Sequence, residues 1–200
     1  MEQLFIESIA LRDGVVQLKD LHQERIDRTL RDHALPALQL PDLEVLCPID
    51  CRQGLTKCRI IYGDKIEHIS FEKYKQRALK HIALAALPSD YSYRYKSTNR
   101  SVLERLRRES GADEVILFNS KGHLTDSSYT NLIFLQEGSC YTPSTPLLEG
   151  VQRHYLLEKN RIEEREITLQ GLNEYDYIGL INAMMPLEEM PLFAVKDLLR

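Results

Sequence analysis

The chain has 200 residues, 43% of them apolar and 28% charged, a balance that excludes disordered and fibrous chains and fits one large domain or two small ones. Twenty-six Lys and Arg against 30 Asp and Glu leave a net charge of −4, so a basic face dominant enough to grip a duplex is not expected, and neither is nucleic acid as a partner. No apolar run reaches the roughly 18 to 20 residues that cross a bilayer, and the opening MEQLFIESIALRDG carries acidic residues where a secretory signal carries basic ones; the expectation is a cytoplasmic protein with no membrane partner.

In chain order, FIESIALRDGVVQL reads as two strands joined across Asp13-Gly14, a pair suited to the positive φ angles of a tight hairpin turn. DLHQERIDRTLRDH follows as a helix, with Leu21, Arg25, Ile26 and Leu30 near one face and Pro36 beyond its end. LTKCRIIYGDKIEHISF repeats the strand, turn, strand pattern around Gly63-Asp64. Residues 75 to 88 have a helical composition and a strand-like alternation, and strand is preferred. After a Tyr-rich linker, STNRSVLERLRRESG reads as a helix capped by Ser97 or Thr98 and ended by Gly111. EVILFN, LTDSS and TNLIFLQEGSCYTP form a run of strands, GVQRHYLLEKN a helix, REITLQ a strand, and YIGLINAMM a buried strand. A boundary near residue 88 divides a small lobe, 1–88, from a larger one, 89–200.

Three cysteines, Cys47, Cys51 and Cys58, crowd into CPIDCRQGLTKC. A structural zinc site takes four ligands in paired short steps, and the fourth is missing here; no metal is expected, and reduced thiols suit a reducing compartment. The basic cluster Arg105, Arg107 and Arg108 falls at helical spacing and reads as a solvated helix face.

Chemistry has three candidate locations. Lys96 lies between Tyr95 and a polar stretch in YRYKSTNR; most lysines are simply solvated, but an amine among aromatic rings can be desolvated enough to attack a carbonyl as the neutral base. In GHLTDSSYTNLIF, Asp126 sits between two strand-like runs, where a plain polar loop is the simpler reading. TPSTPLLEGVQRH runs through Gly150 into a helix start, whose free N–H groups and positive dipole end suit a phosphate, although every helix has such an end.

Taken together, these segments resemble the class IV, fold-type IV pyridoxal-phosphate (PLP) enzymes, which include branched-chain and D-amino-acid aminotransferases and 4-amino-4-deoxychorismate lyase. FIESIALRDGVVQLKDLHQERI is similar to the family's opening hairpin and its H-x-x-R helix, here His22 and Arg25. YKSTNR resembles its lysine segment, GADEVILFNSKGHLTDSSYTNLIF its acidic loop, and TPSTPLLEGVQRH and LINAMMPLEEMP its phosphate-side and substrate-side loops. The resemblance implies an α+β fold: a small, trimmed N-terminal lobe, a larger barrel-like lobe, and the cofactor between them in a homodimer. It also implies that Lys96 forms the Schiff base with PLP, that Asp126 stands where the family usually has Glu and pairs with the pyridine nitrogen, and that Arg25 grips the phosphate. Val151 and Gln152 would add backbone N–H groups, and Asn182 and Ala183 would border phosphate and substrate.

The small-molecule substrate implied is an amine. YKSTNRSVLERL and LINAMMP look closest to the lyase branch, which releases pyruvate and 4-aminobenzoate. An aminotransferase of the branched-chain or D-amino-acid type stays open, as does a relative that binds the cofactor without turnover.

Overall fold

The computed structural model describes residues 3–198, and the chain separates into two compact units. One holds the chain up to Gln76 together with Tyr95–Asn99; the other holds Arg77–Arg94 and the chain from Arg100 onward. The division therefore differs from a single cut near residue 88. Residues 77–88 belong with the larger unit, because their strand pairs there, while the Lys96 segment returns to the smaller unit and pairs with its first strand.

In the first unit, β1 (Phe5–Arg12) and β2 (Val15–Val16) form the hairpin. The turn has positive φ at both Asp13 (49°) and Gly14 (82°), the backbone that DG pairs favour because it matches the twist of the flanking strands. Helix α1 (Lys19–Asp32) follows, and the short α2 (Leu43–Leu46) is capped by Asp42, whose carboxylate accepts from the Glu44 and Val45 N–H groups. β3 (Leu55–Tyr62) and β4 (Ile66–Lys73) complete a sheet of order β2-β1-β3-β4. β1 and β3 are antiparallel and paired over their whole length, Phe5 opposite Tyr62 through Arg12 opposite Leu55. Phe5, Ile9, Leu11, Ile26, Leu30, Ile60 and Tyr62 are buried together in the core, and Cys47, Cys51 and Cys58 are free thiols packed into it.

The second unit contains β5 (Ile82–Ala86), α3 (Ser101–Ser110), β6 (Glu114–Phe118), β7 (Leu124–Ser127), β8 (Asn131–Gln136) and β9 (Ser139–Pro143). It continues with α4 (Val151–Glu158), β10 (Glu163–Arg165), β11 (Tyr177–Ile181), β12 (Leu192–Ala194) and α5 (Val195–Leu198). The ambiguous stretch before Pro88 is thus a strand, and β5 runs parallel to β6. The sheet has the order β10-β9-β8-β7-β6-β5, with β11 pairing β8 and β12, and it curls as a half-barrel. This is the α+β, fold-type IV architecture.

One cap falls elsewhere than the sequence suggests. α3 starts at Ser101 with Arg100 at its N-cap and no side-chain cap. Ser97 and Thr98 are held instead by strand pairing: Phe5 and Ser97 form an antiparallel bridge, and Thr98 N–H donates to Leu4 C=O at 2.9 Å. Gly111 ends the helix as expected, in the left-handed region at φ 68°. Among the described residues, no helix is long and apolar enough to cross a membrane.

Candidate active site

In the second unit, the acidic loop, the start of α4 and the end of β11 meet along one line of the sheet. Asp126 on β7 pairs with Asn131 on β8, and Asn131 pairs with Ile181 on β11, the residue before Asn182. Asn131 Nδ2 donates to Asp126 Oδ1 and to Leu148 C=O, both at 2.8 Å, while Leu148 N–H donates to Asp126 Oδ2 at 2.9 Å. One amide thus ties the carboxylate to the loop that enters α4. The approach is close enough that a Cβ at Gly150 would collide with Asn131 Oδ1, so glycine is required here by contact rather than by backbone angle.

Asp126 is buried, and none of the ion pairs among the described residues includes it. Burial pushes its carboxyl up to about 7, against the lowering pull of hydrogen bonds from Leu148 and Asn131 and of the Arg153 charge. A carboxylate in that state is electrostatically incomplete: a cationic N–H would lower its energy by restoring the ionised form.

α4 opens at Gly150 without a side-chain cap, and its first-turn N–H groups, at Val151, Gln152 and Arg153, have no carbonyl four residues back within the helix. Val151 and Gln152 are buried. Arg153 fixes this end of the helix: Nη2 donates to Pro143 C=O at 2.9 Å and also bonds Glu164, and Nε donates to Thr142 Oγ1 at 3.3 Å. After β11, the Asn182 side chain accepts from Met184 N–H at 2.8 Å, and Asn182 and Met185 exchange backbone hydrogen bonds. The turn holds Asn182 and Ala183 half-buried at the strand's end.

In the first unit, Arg25 and His22 lie one turn apart on α1 and both engage Glu7 on β1. Arg25 grips it with two donors, Nε to Oε1 at 2.8 Å and Nη2 to Oε2 at 2.6 Å, and His22 Nδ1 lies 2.7 Å from Oε2. Burial by itself would raise the Glu7 pKa. The Arg25 charge, with hydrogen bonds from His22 and Arg25, overrides it and holds the carboxyl well below the usual range. Burial lowers the His22 pKa despite Glu7. With Nδ1–H assigned toward Glu7, Nε2 is left as an acceptor that is buried without a hydrogen-bond partner. The Lys96 segment lies along β1, with Ile6 N–H donating to Lys96 C=O at 2.8 Å. The Lys96 ammonium adds to the lowering of the His22 pKa.

The structure therefore brings Asp126, Val151, Gln152, Asn182 and Ala183 to one end of the second unit's sheet, and Arg25 and Lys96 into the first unit. Two residues of these networks were not singled out from the sequence. Glu7 had a legible signal: in FIESIAL it shares a strand face with Phe5, Ile9 and Leu11, where a charge needs a buried partner. Asn131 had none, because its two-way hydrogen bonding depends on the loop at Leu148, 17 residues away.

Residues 53–189 match the sequence model of amino-transferase class IV, and the chain belongs to that family of enzymes. An uncharacterized protein of Haemophilus influenzae is 35% identical over 182 residues, 89% of this chain and 96% of that protein. The crystal structure of a "putative 4-amino-4-deoxychorismate lyase" from Haemophilus somnus superimposes with a TM-score of 0.79 at 31% identity, covering 94% of this chain and 99% of that one. A hypothetical aminotransferase from Mycobacterium tuberculosis in its PLP-bound form shares the fold, with a TM-score of 0.76 at 19% identity over 92% of this chain and 78% of that one.

The family is PLP-dependent, and the residues present suit that group. The uncompensated carboxylate of Asp126 fits a protonated ring nitrogen, and the uncapped start of α4 fits a phosphate.

Proposed function

We propose that this enzyme uses PLP to act on a small amino substrate through Lys96, with a reaction like that of 4-amino-4-deoxychorismate lyase. One observation carries the reading: Asp126, in the family's acidic loop, is a buried carboxyl group in no ion pair among the described residues, held by the Asn131 amide and the Leu148 N–H, a setting that a cationic ring N–H would complete. When bound, PLP supplies an electron sink for the charge that develops at the substrate Cα. Asp126 would hold the ring nitrogen protonated, and Asn131 and the Leu148 N–H hold Asp126. By the family resemblance, the Val151 and Gln152 N–H groups and the Arg25 guanidinium would serve the phosphate, and Asn182 and Ala183 would border it and the substrate. The Lys96 amine would hold the cofactor and, once the substrate amine has displaced it, would be free to carry the Cα proton. In the lyase outcome, the products are pyruvate and 4-aminobenzoate. The 31% identity over nearly the whole length of the Haemophilus somnus protein supports this branch, as do the YKSTNR and LINAMMP segments. A homodimer in the cytoplasm is part of the same proposal, and light scattering on the purified protein reads the assembly state.

The test is the visible spectrum of the protein with PLP, before and after addition of aminodeoxychorismate, with pyruvate assayed in parallel. A Lys96-dependent absorbance that is consumed with pyruvate release supports the lyase; conversion only by amino acids supports an aminotransferase instead. Lys96→Ala is expected to abolish the absorbance and leave the fold intact, and a borohydride-reducible adduct that persists in this variant would move the amine elsewhere.

A further inference from the structure

The second unit carries another concavity, which the reading above leaves unused. A cleft of about 550 Å³ is lined by Arg77, Arg100, Arg107, Arg108, Glu104 and Tyr129, among others, and its size is that of a small-molecule site. Four arginines line it, and Glu104 is the one acidic residue among the lining residues, in a chain whose net charge is −4.

Charge compensation at the end of a helix accounts for two of the four. Arg107 and Arg108 lie in the last turn of α3, where cations suit the dipole. It does not account for Arg77 and Arg100, which come from the stretch before β5 and from the N-cap of α3. Both are oriented by the protein. Arg77 Nη2 donates to Asp113 C=O at 3.1 Å, Nη1 lies 3.8 Å from the buried Glu114 Oε2, and the guanidinium stands 5.5 Å from the centre of the Tyr129 ring. Arg100 Nη2 donates to Ser128 C=O at 2.7 Å, with its guanidinium 5.9 Å from the centre of the Tyr93 ring. Arg107 and Arg108, in contrast, have no ion-pair partner among the described residues. Two anchored forks beside two unpaired ones form a preorganised anion site, since the planar guanidinium matches carboxylate and phosphate oxygens in pairs.

We propose that this cleft binds a small multivalent anion bearing phosphate or carboxylate groups. Cations drawn from separate segments favour a ligand with more than one charged group, and a volume of about 550 Å³ is the size of a small molecule's site. Ser128 and Tyr129 also line the cleft. They sit two and three residues after Asp126, in a turn closed by the Ser127 Oγ and Thr130 Oγ1 contact at 2.7 Å, so a bound anion would brace the loop that follows that carboxylate.

Titration calorimetry of the purified protein with pyrophosphate and with citrate, at low ionic strength and with acetate as the monovalent control, tests the proposal. Saturable binding of at least one multivalent anion is expected, and the stronger of the two identifies phosphate or carboxylate as the preferred group. The double variant Arg107→Ala/Arg108→Ala is expected to bind about tenfold or more weakly with at most a small drop in melting temperature, and Glu104→Gln to bind more tightly. Absence of saturable binding, or equal affinity in all three proteins, overturns the proposal. Because none of these substitutions touches α4, Arg25 or Lys96, the result is independent of whether the PLP reading holds.

Discussion

Glu7 and Asp126 are both almost wholly removed from water, and they end in opposite electrostatic states. Glu7, in the first unit, meets two Arg25 donors and His22 and stays ionised well below the ordinary range. Asp126, in the second, meets an amide and a backbone N–H, and burial carries its carboxyl up to about 7. At Asp126 the dipolar donors and the Arg153 charge leave desolvation the larger effect, whereas at Glu7 the forked cation and His22 outweigh it. The first carboxylate is matched by a forked cation; the second is in none of the ion pairs among the described residues.

The largest effect should come from breaking the matched arrangement. Glu7→Ala removes the carboxylate that the buried Arg25 and His22 share and is expected to cost about 3 to 5 kcal/mol, read by chemical denaturation; a loss below about 1 kcal/mol would mean that Glu7 contributes little net stability. Because the folded-state pKa of Glu7 is depressed, its contribution is present above the ordinary value of 4.5 and fades as pH falls below it. The variant should lack that part of the acid-side decline.

Asp126 has the opposite sign. Its pKa rises on folding from 3.8 to about 7, so between those values the folded protein holds a proton that the unfolded chain has released. Stability of the cofactor-free protein should therefore fall as pH rises through that window, by up to roughly 1.4 kcal/mol per unit from this group, and level off above it. Asp126→Asn removes the slope. Melting curves at pH 5 and pH 8 for both proteins provide the check, and identical pH dependence would show that Asp126 is ionised throughout.

Gly150→Ala probes the same site by volume rather than by charge. The added methyl collides with Asn131 Oδ1, and overpacking of this kind costs typically about 1 to 3 kcal/mol. The expected outcome is a lower melting temperature together with a weakened pH slope, because Asn131 can no longer hold Asp126 and Leu148 at once. An undisturbed slope would mean that Leu148 alone positions the carboxylate.

Local rules made much of the fold legible. Asp13-Gly14 dictates its turn whatever surrounds it, Gly111 ends α3, and the apolar spacing of LHQERIDRTL places α1. The helix cap was misplaced because Ser97 and Thr98 satisfy their backbone through β1, more than 90 residues away in sequence, and no local pattern reports that pairing. The boundary differed for the same reason: β5 is assigned to its unit by its parallel partner β6, and the Lys96 segment by its bond to Ile6.

The sequence by itself determined the family, since the order and spacing of the lysine, acidic and glycine-bearing loops are properties of the chain alone. It also determined which residue types could hold a cationic ring and a phosphate. Only the tertiary structure decided the charge states. Glu7 and Asp126 are both carboxylic acids between strand-forming residues, and what separates them is the set of partners folding delivers: Arg25 from a helix in one case, the Asn131 amide and the Leu148 N–H in the other. Desolvation and Coulomb energy act through space, so the sequence named the groups and the fold set their protons.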